Sequence, residues 1–133
     1  MNTFALDSNI ISYMLKNDSA VISRYRQESD QGSSFVILPI VYYEISRWLL
    51  ARNLTKKMSH FNDLCNAVEH VEFNRKIWQK AAHICAFLYQ QGTPIDDSDI
   101  FIAAFCLVNG YTLATNNIRH FDRIAGLEFV NWK

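Results

Sequence analysis

Five short runs, TFAL (3–6), FVIL (35–38), HVEF (70–73), TLAT (112–115) and LEFV (127–130), interrupt an otherwise helix-periodic sequence. Each is too short for a helix. In most of them apolar residues follow one another without the polar alternation of a half-exposed strand. Such strands are covered on both faces, and parallel sheets cover them with crossover helices. The segments between the runs supply those helices. Alternation from end to end predicts an α/β fold of three layers: a central, mostly parallel sheet of four to five short strands flanked by helices.

The helical segments carry their own punctuation. SNIISYML (8–15) opens on Ser8 as a cap, although Asp7 could also cap it. Residues 18–32 turn Val21, Ile22 and Tyr25 inward and stop at Gly32. Pro39 opens the segment IVYYEISRWLLARN. Thr55 to Val68 aligns Met58, Phe61, Cys65 and Val68, and Arg75 to Gln91 aligns Ile77, Ala81, Ile84, Cys85 and Leu88. Asp99 to Val108 is apolar almost all round, which predicts burial on several sides, with Asp97 or Ser98 as its N-cap and Gly110 as its end. NIRHFDRI makes a short helix before the last strand. Four glycines, two prolines and no repeat or low-complexity segment predict one domain over residues 1–133 with short connections.

Composition excludes several classes. Half of the 133 residues are apolar and a fifth are charged, which is incompatible with disorder. No apolar run approaches the roughly 18 residues of a membrane span, and the N-terminus has no basic n-region, so neither membrane insertion nor secretion is expected. Cys65, Cys85 and Cys106 fit neither a zinc knuckle nor a disulfide framework, and are expected as buried thiols in a reducing cytoplasm.

The acids carry the functional signal. Asp7 ends the first strand, Glu44 lies in the second turn of the helix after the second, and Asp99 lies in the first turn of the helix before the fourth. Strand ends and helix beginnings share one edge of an α/β sheet, the edge where sites form. Topology therefore brings these three carboxylates to one rim, and Thr115, Asn116 and Asn117 reach it too. Apart from these three, Asp96 and Asp97, eight acids face 13 bases, a balance that fits an acidic pocket within a mildly basic surround as well as charges mixed over the surface. Carboxylates crowded at a half-buried rim repel one another unless a cation neutralises them. Hard oxygen donors suit Mg²⁺ or Mn²⁺, and such an ion makes a phosphodiester the natural substrate.

The residues resemble those of PIN-domain nucleases. FALDSNIISYML resembles the family's opening motif, PIVYYEISRWLLAR its second, and GTPIDDSDIFIAAFCLVNGYTLATNNIRHFDRIAGLEFVNW its third motif and C-terminal end. The order and spacing agree over nearly the whole chain and are most similar to VapC-like toxins of bacterial type II toxin–antitoxin pairs. The resemblance implies a PIN-like fold and a magnesium-dependent endoribonuclease that cuts structured RNA, often transfer RNA, and slows growth. It implies a cognate antitoxin and a homodimer. Asp7, Glu44 and Asp99 stand at the family's acidic positions as metal ligands and catalytic groups, with Asn116 positioning water or phosphate. Many members have a fourth acid after the fourth strand. Here Asn116 and Asn117 stand at the earlier position and His120 at the later one, with Asp122 the nearest acid; Asp97 is an alternative outer-shell group.

Arg47, Lys56, Lys57, Arg119 and Arg123 are the candidates for holding RNA backbone, and His120 is a candidate general base. Tyr13, Met14, Tyr42, Trp48 and Leu49 could serve a dimer or antitoxin interface. The competing reading is a catalytically weak PIN-like module that binds RNA or protein. A dehalogenase-like phosphatase or receiver domain would need a second acid beside Asp7 and a lysine after a later strand, and no lysine lies between Lys80 and Lys133.

Overall fold

The computed structural model describes residues 2–133. Strand β1 (Thr3–Leu6) leads into α1 (Ser8–Leu15) and α2 (Ser19–Asp30), and β2 (Ser34–Ile37) into α3 (Pro39–Ala51) and α4 (Thr55–Ala67). Strand β3 (Glu69–His70) is followed by α5 (Arg75–Gln90) and α6 (Asp97–Asn109), then β4 (Thr112–Ala114), α7 (Ile118–Phe121) and β5 (Phe129–Val130). The sheet runs β3-β2-β1-β4-β5, and all four pairings are parallel. The chain steps one way from β1 to β3 and then returns across β1 to β4. Right-handed crossovers therefore put α1–α4 on one face and α5–α6 on the other. Packing agrees: α1 lies against α2, α3 and α4, while α5 lies along α6.

β1 sits in the middle of the sheet, so Phe4, Ala5 and Leu6 are covered on both faces, as are Phe35, Val36 and Ile37 beside them. α6 is buried nearly all round through Ile100, Ile102, Ala103, Ala104, Phe105 and Cys106. Its large apolar side chains each contribute about 1.5–3 kcal/mol by leaving water. That burial makes the helix a rigid support for Asp99 in its first turn. It ends at Gly110, whose φ of 70° is left-handed.

Several local expectations shift. β3 spans two exposed residues, Glu69–His70, rather than 70–73, because at the sheet edge it finds only the end of β2 to pair with. α6 begins at Asp97 with Asp96 in the N-cap position, so neither Asp97 nor Ser98 is the cap. Four polar residues in a row suit a cap equally well, and the turn after Pro94 decides among them. Ser8 is likewise the first helical residue of α1, and Asp7 is its cap. Cys65 and Cys106 are buried, but Cys85 is exposed: it falls at the edge of the stripe formed by Ile77, Ala81, Ile84 and Leu88. Leu49, considered for an interface, is a core residue at 1% exposure, whereas Tyr42 is 45% exposed.

Candidate active site

Asp7 is where β1 stops and α1 starts. Its backbone N–H still donates to Ala114 O in the β4 ladder (2.9 Å), and its side chain caps α1 by accepting from the Ser8 N–H (2.8 Å). The second carboxylate oxygen accepts from the Thr115 hydroxyl at 2.7 Å and from Asn9 Nδ2 at 3.3 Å. Thr115 is fully buried just beyond β4, and it in turn accepts from the Asn117 N–H (2.9 Å). Asp7 is thus a carboxylate 4% exposed, held by neutral donors only. Burial pushes its pKa up to about 6; the Thr115 and Ser8 bonds pull it back, and the charges of Asp99 and Glu44 add to the rise.

Asp99 is 8% exposed and enters the rim from the first turn of α6. His120 Nδ1–H donates to its Oδ2 at 2.6 Å, and Asn117 Nδ2 donates to the same oxygen at 3.2 Å. His120 Nδ1 also lies 2.9 Å from Asn117 Nδ2, so ring, amide and carboxylate form one cluster around Asp99 Oδ2. Glu44 accepts from the Ser8 hydroxyl at 2.7 Å, so the first turn of α1 ties two acids together: its backbone holds Asp7 and its side chain holds Glu44.

The three predicted acids meet on one rim, close enough for Asp99 and Glu44 to act electrostatically on Asp7. Among the described residues no lysine or arginine pairs with these acids: Lys133 pairs with Asp18, and Asp99 is met by the His120 imidazole, which is a cation only when protonated. Nor have three acid, histidine or cysteine side chains converged on a common ligating point among those residues. Each carboxylate rests on hydrogen-bond donors instead: Asp7 on Ser8, Asn9 and Thr115, Asp99 on His120 and Asn117, and Glu44 on Ser8. The donor set fits Mg²⁺ or Mn²⁺: the oxygens are hard, two of the carboxylates are buried, and an ion that keeps several waters needs few protein ligands.

The other sequence candidates divide. Asn117 reaches Asp99, but the Asn116 amide turns away to donate to the Tyr13 hydroxyl (3.1 Å), while its backbone N–H donates to Asn9 Oδ1 (3.0 Å). Asp96, Asp97 and Asp122 are exposed and make none of the site's hydrogen bonds among the described residues. Arg47 lies over the Tyr43 ring, 5.2 Å from its centroid, and Arg123 donates to Pro94 O. Lys56 and Lys57 open α4, roughly 20 Å along α3 from the rim at 1.5 Å per residue, and do not join the acids. Sequence reasoning missed Asn9, which bridges Asp7 and Asn116, and the tie from Ser8 to Glu44. Their position in the first turn after a strand-end acid is the signal that points to them.

The sequence profile of the PIN domain matches residues 4–127. The tRNA(fMet)-specific endonuclease VapC of Shigella flexneri is 28% identical over 136 residues, covering 99% of each chain. Ribonuclease VapC2 of Haemophilus influenzae is likewise 28% identical, over 135 residues and 99% of each chain. Among solved structures, VapBC2 of Rickettsia felis bound to a DNA fragment from its promoter superposes with a TM-score of 0.90 at 24% identity, covering 98% of this chain and 99% of that one. VapBC-1 of nontypeable Haemophilus influenzae gives 0.85 at 27% identity, covering 98% of each.

Proposed function

The chain belongs to the PIN-domain family, and on that premise we propose that it is a metal-dependent endoribonuclease, the toxin of a toxin–antitoxin pair, that hydrolyses phosphodiester bonds of RNA. One observation carries the reading: Asp7, Glu44 and Asp99 gather on one rim from three separate elements, and among the described residues no lysine or arginine pairs with them. Asp7 and Asp99 are the ligands assigned to Mg²⁺ or Mn²⁺, with Glu44 ligating directly or through water. Such an ion supplies a polarised phosphate oxygen and a more acidic bound water.

The chain's own groups do the rest. Thr115 and the Ser8 N–H orient Asp7, His120 and Asn117 orient Asp99, and the Ser8 hydroxyl orients Glu44. Asn116 acts in this reading as a positioning residue, fixing Tyr13 and Asn9 at the edge of the site. Relatives named as ribonucleases, one of them a tRNA endonuclease, support RNA as the substrate and transfer RNA as a leading target. VapBC structures support a cognate antitoxin as partner. A homodimer acting where its RNA lies, in the cytoplasm, completes the proposal.

The test is incubation of the purified chain with total bacterial RNA and Mn²⁺ or Mg²⁺. Discrete fragments should form, vanish with EDTA and be absent with Asp99→Asn. Equal cutting by that variant, or cutting that EDTA leaves intact, refutes the metal assignment; an inert wild type refutes the nuclease.

A further inference from the structure

A groove of about 590 Å³ opens on the same rim, beside the acids, between α3, α4 and the ends of β2 and β3. Ile37 and His70 close β2 and β3, and they pair in register, one step along the sheet from the end of β1. Two strand spacings separate the β3 end from Asp7, about 10 Å. An RNA strand crossing the acids would thus continue over this groove.

Half of the eight lining residues are polar or aromatic: Tyr42, Asn62, Asn66 and His70. Tyr42 is 45% exposed, with its ring tilted against Phe61 (centroids 5.7 Å apart) and its neighbour His70 edge-on at 6.3 Å. Asn62 and Asn66 line the groove one helical turn apart on α4, each with an amide that both donates and accepts. His70 Nε2–H donates to Cys65 O (2.9 Å), so its Nδ1 carries a lone pair in the neutral ring. An aromatic face beside a row of donors and acceptors is the complement of an unpaired base, which has a π-face and a hydrogen-bonding edge. The adjacent groove between α3 and α6, lined by Ile40, Tyr43, Trp78 and Phe101, offers neither amide nor imidazole.

We propose that the Tyr42–Asn62–Asn66–His70 groove is a nucleobase pocket that reads one unpaired base of the RNA near the cleaved bond. Tyr42 stacks on the base, and the two asparagines with His70 read its edge. The inference rests on the ribonuclease reading above and adds to it the source of sequence preference.

The test begins with the cleavage site mapped in total bacterial RNA. That RNA segment is then resynthesised with each of the four bases at every unpaired position, and kcat/KM is measured for the wild type, Asn62→Ala/Asn66→Ala and Tyr42→Ala. All three residues are exposed, and alanine favours the helix, so the variants keep the fold. The wild type should discriminate about tenfold or more at one position, in line with the strength of a stacked, hydrogen-bonded base. The double asparagine variant should lose that discrimination while still cutting. Tyr42→Ala should bind the segment about tenfold more weakly and keep the same preferred base. Unchanged discrimination and binding in both variants overturns the pocket while leaving the nuclease standing. A variant that keeps its RNA preference but no longer binds the antitoxin reassigns the groove to a protein partner and also overturns it. A wild type that cuts no RNA removes both readings together.

Discussion

Replacing Asp7 by asparagine should make the metal-free protein more stable at neutral pH, the opposite of what removing a buried, hydrogen-bonded side chain usually does. In the folded chain Asp7 has its pKa pushed from 3.8 up to about 6, first by burial and then by Asp99 and Glu44. Above pH 6 the protein must ionise a group that resists ionisation. A rise of about two units costs about 3 kcal/mol at 1.36 kcal/mol per unit. Asparagine removes that cost. It gives up part of the Thr115, Ser8 and Asn9 bonding, because one of its two terminal atoms donates, which costs about 1 kcal/mol. The net gain at pH 7 is about 1–2 kcal/mol.

The pH dependence fixes the sign. For an acid whose folded pKa is raised, stability is whole below the unfolded value, near 3.8, and is lost as pH climbs to about 6. The advantage of Asp7→Asn should therefore be absent at pH 3.5, grow between pH 4 and 6, and stay level above. Urea unfolding in EDTA, followed by tryptophan fluorescence at several pH values, measures it as the difference between the two proteins, in which other carboxylates largely cancel. Saturating Mn²⁺ should reverse the order, since only the wild type gains binding energy. A variant less stable than the wild type by the same amount at every pH would refute the argument that burial and repulsion dominate at Asp7.

Asn117→Ala should weaken Mn²⁺ binding by about tenfold in calorimetry, as loss of a group orienting a metal ligand does, because Asn117 holds Asp99. Asn116→Ala should leave it nearly unchanged, since that amide bonds Tyr13. Asn117→Asp should tighten Mn²⁺ binding yet lower metal-free stability at pH 7, by adding a fourth negative charge beside Asp99. In a thiol titration of the native protein one cysteine, Cys85, should react quickly, while buried Cys65 and Cys106 wait for unfolding.

How far the sequence reached depended on the length scale of each question. The strands were legible because a four-residue apolar run such as TFAL has nowhere to go but between two helical layers. Asp7, Glu44 and Asp99 were legible because topology, not local geometry, brings them together, and topology follows from the order of elements. Questions one residue wide were not legible. Asn116 and Asn117 follow β4 in an irregular turn with no period to say which side chain faces the acids, and the structure selects Asn117. The cap of α6 lies within a run of polar residues that are nearly equivalent as caps. Cys85 sits at the edge of a helical stripe, where a rotation of a few tens of degrees decides between core and solvent.

The fold also explains how the cluster is held without a lysine or arginine partner among the described residues. Asp7 caps α1 and Asp99 lies in the first turn of α6, so two of the three carboxylates face the positive end of a helix. Each such end acts as roughly half a positive charge, and the effect fades beyond the first turn, so Glu44 in the second turn of α3 gains little. Three negative charges less two halves leave about two, which one divalent ion balances. A fourth carboxylate where Asn117 or His120 stands would leave about three, more repulsion than one such ion cancels. Neutral Asn117, with His120 donating its Nδ1 proton, instead fixes Asp99 without adding charge. Asn117 and His120 therefore hold Asp99 without placing a further carboxylate beside Asp7.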